Sequence, residues 1–425
     1  MSKPVRSINQ KRILFLQGPM GSFFHRFQKK LKKKGITTYN ICFNGGDWLF
    51  NHSTNCIPYT APKAQWGNFF LSVCAKKSID AVILFGDCRY YQKEAVTLCK
   101  RGNIHVYVFE EGYIRPNFVT FEDYGVNGNS LLPKSADFYS KLPKSYSTKK
   151  NYPSENKKVF WMGLEATLYY IAMSIGVFYF PFYEHHRNKK LLPELKIAIK
   201  SLLMKYSVKN NDAKIEDYIR KKLKKKYFLI PLQTHNDFQI RAHSKFETIE
   251  RFIDYVMHSF ARYAPPQFSL IFKHHPVDRG RKNYTSYINT LSQKYNIKDR
   301  VFVTHDIHLP LAIKNAKGVI IINSTVGLSS LYHGTPTKTL GKAIYDIAGL
   351  TAHNVPLRQF WTQQPTPNRK LYLKFRNYLI EKTQLNGSFW GNFPSGLNFN
   401  TSNTYQPLNH QRRGLHKIHS NESSF

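Results

Sequence analysis

The chain has 425 residues, of which 42% are hydrophobic and 15% aromatic, enough to build two separate cores and too apolar for a disordered polyelectrolyte. Lys and Arg number 63 against 26 Asp and Glu, a formal net charge of +37 that predicts attraction to nucleic acid, an anionic membrane surface or phosphorylated substrates without choosing among them. The five cysteines (Cys42, Cys56, Cys74, Cys88 and Cys99) form no C-x-x-C pair. Their odd, scattered placement argues against a zinc site or a disulfide framework and predicts reduced thiols in the cytosol.

In chain order, the first apolar run is 13–17. It is too short for a signal-peptide core and reads as a buried strand. It ends in Gly18-Pro19-Met20-Gly21-Ser22, and a basic amphipathic stretch, 23–34, stops at Gly35. That is a strand, a tight turn and a helix with a glycine stop. Residues 38–43, 81–85 and 105–109 are further strands. They end in Asn44-Gly45-Gly46-Asp47, Gly86-Asp87 and Glu110-Glu111-Gly112.

Next comes an aromatic stretch, 159–183, whose only charge is Glu165. Its length suits a membrane span, but Gly163, Glu165, Gly176 and Pro181 disfavour one. The following stretch, 187–226, carries 14 Lys and Arg against 4 Asp and Glu. Two readings stay open: a helix lying on an anionic bilayer surface, or a buried connector followed by solvated basic helices.

The second half repeats the β/α theme. Residues 227–232, 268–272, 301–304, 318–322 and 337–340 are strands, with helical stretches such as 245–263 between them. Residues 370–382 look helical, and the tail from about 386 is polar. Alternation of this kind predicts an α/β protein with parallel sheets. Two sets predict two Rossmann-like domains facing a cleft, a GT-B-like arrangement with a helical aromatic and basic insertion between them. The expected boundaries are 1–150, 151–226, 227–360 and 361–425.

In open α/β sheets ligands bind beyond the carboxyl ends of strands, and the chemically interesting residues fall there. Lys273-His274-His275-Pro276 ends one strand and offers donors to a phosphate, or is an ordinary surface turn. Asn323-Ser324-Thr325-Val326-Gly327 ends another, with Asn323 or Ser324 as the expected N-cap of a helix whose free N–H groups favour an anion. Gln233-Thr234-His235-Asn236-Asp237 ends the first strand of this half. A carboxylate here can attack an anomeric carbon in a double displacement, and Asp237 is the candidate; its alternative is to cap the next helix. His235 either binds an anion or fills the turn.

In the first half, Glu110 or Glu111 is a candidate general base, since paired carboxylates raise each other's pKa, and Arg115 either pairs with one of them or binds an acidic substrate. Gly18 to Gly21 is neither a dinucleotide fingerprint nor a Walker loop; it reads as a turn lining the acceptor side. His185-His186 and His305-x-x-His308 lack the spacing of a metal site, and no metal is expected.

The motifs Leu16-Gln17-Gly18-Pro19-Met20-Gly21-Ser22-Phe23-Phe24, Phe43-Asn44-Gly45-Gly46-Asp47 and Glu110-Glu111-Gly112-Tyr113-Ile114-Arg115-Pro116, in that order, resemble the KpsS/LipB type of capsule polysaccharide biosynthesis and export protein. The resemblance runs from about residue 12 to about 350. It implies a retaining β-Kdo transferase that uses CMP-Kdo and starts an oligo-Kdo linker on a phosphatidylglycerol-type lipid. It implies Asp237 as nucleophile in a Gln-x-x-x-Asp motif, and Lys273, His275, Ser324 and Thr325 as ligands of the CMP phosphate, with Gln233 and His235 on the donor side. Acid/base chemistry falls to Glu110–Gly112, and Gly18, Gly21, Asp47 and Arg115 lie on the acceptor side. His235 departs from the sister type, which has Glu there.

The resemblance further implies CMP-Kdo as a substrate with no cofactor, and a peripheral place on the cytoplasmic face of the bacterial inner membrane. Expected partners are an anionic phospholipid acceptor and other capsule assembly and export proteins. The competing functions are a non-catalytic export or scaffold component and a nucleic-acid-binding protein. The latter rests on net charge alone, since no nucleic-acid motif is evident, and no nucleic acid is expected.

Overall fold

A computed structural model describes residues 6–52, 55–154, 159–184 and 191–399. Fourteen strands are found among them: β1 Arg6–Ile8, β2 Arg12–Phe15, β3 Thr37–Cys42, β4 Cys56–Pro58, β5 Ala81–Phe85, β6 His105–Glu111, β7 Phe118–Asp123, β8 Tyr227–Pro231, β9 Ser269–Lys273, β10 Val301–Thr304, β11 Gly318–Ile321, β12 Thr337–Thr339, β13 Gln384–Asn386 and β14 Leu397–Phe399. The chain divides into two compact α/β units, 1–126 with 152–188 and 383–425, and 127–151 with 189–382.

In the first unit the sheet order is β13-β7-β6-β5-β2-β3-β4. The five strands from β6 to β4 are parallel, and β7 and β13 extend the sheet antiparallel. Strands β2 and β5 are buried nearly throughout, as strands covered on both faces must be. The helix Phe23–Lys32 covers one face with Phe23, Phe24, Phe27 and Leu31 at helical spacing. Phe23 packs edge-on against Phe109 at 5.3 Å and against Phe389 at 4.9 Å, and stacks on Phe393 at 5.5 Å.

The second unit holds a five-stranded parallel sheet in the order β10-β9-β8-β11-β12. Helix Ile249–Tyr263 covers one face, with Phe252, Ile253, Val256, Met257 and Phe260 buried; Thr248 caps it by accepting from the Arg251 N–H. Both sheets therefore bear out the expected α/β class with parallel strands.

The boundaries differ from those expected. Residues 127–151 leave the first unit because the Gly128 backbone abuts the His243 ring and Lys374 donates to the carbonyls of Ser140 and Leu142. The stretch 151–226 is not one connector. Its aromatic part belongs to the first unit, while the basic part is one long helix, Leu191–Lys221, held in the second. There Asp212 accepts from the N–H groups of His305 and Asp306. Helix Arg369–Thr383 lies in the second unit up to Lys382, and the chain then returns to pair β13 with β7 in the first.

A further correction concerns the cysteines. Cys42 ends β3 and Cys56 begins β4, whose parallel pairing sets their Cα atoms 6.3 Å apart, and the two are joined as a disulfide. Cys74, Cys88 and Cys99 are free.

The return segment anchors the first unit through its rings. Phe389→Ala should lower stability by about 3–5 kcal/mol, read as a fall in the urea midpoint, because it opens a cavity against Phe23 and Phe109.

Candidate functional site

In the second unit the chain order reverses between β8 and β11. Such a switch point leaves a crevice at the carboxyl ends of the two strands, the standard ligand position in open α/β sheets. Gln233 follows β8 and Asn323 follows β11. The buried Gln233 amide donates to Asp237 Oδ2 at 3.0 Å and to Asn323 Oδ1 at 2.9 Å, and its carbonyl accepts from the Asn323 N–H at 3.2 Å. Asn323 in turn donates to the Gln239 carbonyl. One amide thus fixes the carboxylate of one loop to the backbone of the other.

Asp237 also takes its alternative role. It caps the short helix Phe238–His243, accepting from the Gln239 N–H at 2.9 Å. Both oxygens are oriented by one donor each, and an ionised carboxylate has about four lone-pair sites, so acceptor capacity remains. The side chain is half-buried. His235 is fixed as well. Its ring Nδ1 lies 2.7 Å from Oδ1 of the buried Asp278, and its N–H donates to Oδ2 at 2.8 Å. The imidazole is thereby held in the turn by Asp278.

The Lys273–Pro276 loop is less open than expected. Lys273 is buried and donates to the carbonyls of His274 and His305. Desolvation lowers its pKa, opposed by Asp306 and Asp212. His274 is also buried, stacked on His305 at 4.2 Å, and burial with the neighbouring His305 and Lys273 lowers its pKa to about 3. His275 is half-buried, and its Nδ1 accepts from the Val277 N–H, so a neutral ring carries its proton on Nε2. At the β11 end one of the two expected caps is taken and the other is kept. Helix Val326–Tyr332 begins after Thr325, and Asn323 is engaged with Gln233. Ser324 Oγ accepts from the Val326 N–H, and its carbonyl accepts from the Tyr345 hydroxyl. Tyr345 was not legible as part of this loop; a Cβ on Gly327 would lie 2.4 Å from its hydroxyl.

In the first unit the switch falls between β2 and β5. Glu110 closes β6 beside it. The carboxyl accepts from the Glu111 N–H at 2.9 Å. Desolvation raises its pKa to about 7, helped by Glu111 and Asp87 and opposed by that hydrogen bond and by Arg89. A carboxyl of this kind exchanges its proton near neutrality, which suits a general base. Burial and Asp87 push the neighbouring Cys88 thiol up, away from thiolate chemistry. Arg115 is exposed and donates to the Gly112 carbonyl rather than to a glutamate.

The remaining acceptor-side residues are packed rather than open. Gly18 lies against the Phe24 ring. Gly21 has φ +112°, and a Cβ there would meet the Glu165 carboxylate at 2.1 Å. Asp47 is buried: it accepts from the Tyr169 hydroxyl at 2.7 Å, the Phe43 N–H at 3.1 Å and the Gln17 amide at 3.2 Å. Desolvation raises its pKa to about 6. It faces the aromatic helix Val159–Ile175.

Among the described residues no group of three or more His, Cys, Asp or Glu side chains gathers as a metal site. His305 is stacked on His274 and His308 donates its N–H to Glu216, while His185 and His186 lie outside the described residues.

A family model described as capsule polysaccharide biosynthesis protein matches residues 80–390. The capsule polysaccharide export protein KpsS of Escherichia coli is 37% identical over 388 residues, covering 90% of this chain and 98% of that one. The capsule polysaccharide modification protein LipB of Neisseria meningitidis serogroup A is 35% identical over 402 residues, covering 93% and 95%. Among solved structures, the β-Kdo 2,7 transferase of Thermosulfurimonas dismutans KpsC aligns with a TM-score of 0.41 at 14% identity, covering 89% and 93%. The outer-core galactosyltransferase WaaB aligns with a TM-score of 0.32 at 12% identity, covering 87% and 98%.

Two outcomes check this geometry. A double-mutant cycle on Gln233→Ala and Asn323→Ala should give a coupling of about 1 kcal/mol in urea unfolding, since each removes the other's partner. Asp47 keeps its proton more readily when folded than its ordinary value of 3.8 allows, so its contribution to stability is full below that value and is lost as pH rises through about 6. Asp47→Asn should therefore flatten the decline of the unfolding midpoint between pH 4 and 7.

Proposed function

The chain belongs to the capsule polysaccharide biosynthesis protein family, and from that premise we propose that it is a retaining glycosyltransferase moving Kdo from CMP-Kdo to a phosphatidylglycerol-type lipid. The product starts the β-Kdo linker of a bacterial capsule. The observation that carries this reading is the Asp237 carboxylate, oriented by Gln233 and the Gln239 N–H at the β8/β11 switch point. Gln233 to Asp237 match the Gln-x-x-x-Asp form that the resemblance implies from related retaining Kdo transferases.

The chemistry is a double displacement. Asp237 Oδ attacks the anomeric carbon, the bond from that carbon to the phosphate oxygen breaks, and CMP leaves with the electron pair. The acceptor hydroxyl then attacks the same carbon as the bond to Asp237 breaks, and two inversions retain the configuration. The carboxyl edge of the second unit supplies donor chemistry, through Asp237, Gln233, His235, His275, Ser324 and Thr325. The edge of the first supplies the base. Of the two glutamates, Glu110 is the better base, because desolvation raises its pKa to about 7. The reaction needs no cofactor besides the donor. On this reading the protein is peripheral on the cytoplasmic face of the inner membrane, beside other capsule assembly and export proteins.

Purified protein given CMP-Kdo and lysophosphatidylglycerol should yield a lipid heavier by Kdo in mass spectrometry. Asp237→Ala should lower the rate at least a thousandfold while the protein stays folded. Undiminished transfer by that variant would overturn the nucleophile. The base must be deprotonated to act, so kcat/KM should climb as pH rises through about 7, and Glu110→Gln should lose that limb along with most activity.

A further inference from the structure

The aromatic helix Val159–Ile175 presents two unlike faces. Glu165, Tyr169, Ala172 and Gly176 recur at helical spacing and face the first unit. Glu165 accepts from the Ser22 hydroxyl at 2.6 Å, and Tyr169 donates to Asp47. A Cβ on Gly45 would lie 2.0 Å from the Ala172 carbonyl, so only glycine admits the helix this closely. A second stripe, roughly a quarter turn around the helix from that face, is Trp161, Leu164, Leu168, Ile171 and Ile175, at spacings of three and four, and all are exposed. The chain then turns through Phe178, which is 92% exposed, Tyr179 and Phe182. Trp48, exposed on the neighbouring helix Gly45–Asn51, reaches Tyr179 at 6.1 Å between ring centroids, and Leu49 beside it is exposed as well. A contiguous apolar patch of this kind marks an interaction surface.

We propose that this face lies in the plane of an anionic phospholipid bilayer, its outward stripe sunk into the headgroup and upper acyl region. Three observations select that occupant. First, the residues are those of an interfacial element: tryptophan and tyrosine beside long aliphatic side chains. Second, the exposed stripe carries no negative charge, because Glu165, the only acid between 159 and 183, is turned onto Ser22. Third, Lys and Arg outnumber Asp and Glu by 63 to 26, and the resulting net charge of +37 suits anionic headgroups.

The helix is apolar enough, over 160–178, to cross a membrane by length and composition. Its inner face forbids that. The Glu165 carboxylate and the Tyr169 hydroxyl are bonded to loops of an α/β unit, and lipid cannot surround a helix so attached. The geometry selects the in-plane reading over both the span and the buried connector. It also orients the unit, because Gln17 and Asp47, bonded to this segment, follow β2 and β3 at the carboxyl edge that also holds Glu110.

The test is sedimentation of the full chain with vesicles, which needs neither donor nor acceptor turnover and so stands or falls apart from the transferase reading. The protein should bind phosphatidylglycerol vesicles at least tenfold better than phosphatidylcholine vesicles in low salt. Ile175→Ser with Phe178→Ser, both at exposed positions, should reduce that binding at least tenfold with an unchanged thermal midpoint. Alkaline carbonate should strip the wild-type protein from membranes. Equal vesicle binding by the double variant, or resistance to carbonate, would overturn the proposal. So would a double variant that binds vesicles normally but changes from dimer to monomer in light scattering, since the face would then belong to a second copy.

Discussion

The hydrogen bond from Tyr169 to Asp47 sets the orientation on which the first unit's surface depends. The aromatic helix is apolar on nearly every side, so hydrophobic burial alone gives it little reason to prefer one rotation. A buried polar group, by contrast, must be satisfied. Tyr169 donates to Asp47, Gln17 donates to the Tyr183 hydroxyl at 2.9 Å, and Asn44 donates to the Tyr169 oxygen at 3.0 Å. Turning the helix would strand these groups in a dry interior, at about 1–3 kcal/mol for each unsatisfied one. Gly45 and Gly46 supply the close approach, since a Cβ at Gly46 would sit 2.7 Å from the Tyr169 ring. Polar specificity on the inner face thus decides which apolar residues look outward.

The same chain uses carboxylates in two ways, and their surroundings tell them apart. Asp47 is enclosed, with its oxygens occupied by a phenol, an amide and a backbone N–H, so its chemistry is used up in holding the fold. Asp237 and Glu110 sit at strand ends beside the switch points, only half-buried, each with acceptor capacity left over. Asp237 is aimed by two donors. Glu110 has a single backbone donor and a carboxyl whose proton is held to about pH 7. On the proposed reading these two are the oriented nucleophile and the near-neutral base that a two-step glycosyl transfer needs.

Most strands were legible because each is a short apolar run closed by a glycine-rich or polar turn; Ala81–Phe85 and Val301–Thr304 match residue for residue. Gln233 and Asp237 were legible too, since a strand end names its own loop. The features that escaped depend on residues far apart in the chain. Strand β13 is three residues long and earns its place through Gln384, whose carbonyl accepts from the Tyr113 N–H across 271 positions. Phe389 and Phe393 show no periodicity, and only the ring of Phe23 explains them. Asn323 has the right chemistry for an N-cap, but Gln233, ninety residues earlier, competes for it and wins. Cys42 and Cys56 meet through strand pairing that their spacing does not announce.

Lys273 shows how a basic motif can mislead about where charge acts. Its position at a strand end suggested a cation for phosphate. Instead its ammonium joins the ends of β9 and β10 by donating to two carbonyls, with Asp306 and Asp212 close enough to offset its charge. Asp212 reaches there from the helix Leu191–Lys221, which otherwise bristles with lysine. The charge of Lys273 at this edge is therefore offset by acids of the same unit. On the proposed reading, a phosphate bound there relies on directed hydrogen bonds, where geometry discriminates, more than on net positive charge. The surplus lysines and arginines are concentrated elsewhere, 14 of them within 187–226. On that reading, the overall +37 describes how anions are drawn in rather than how one is bound.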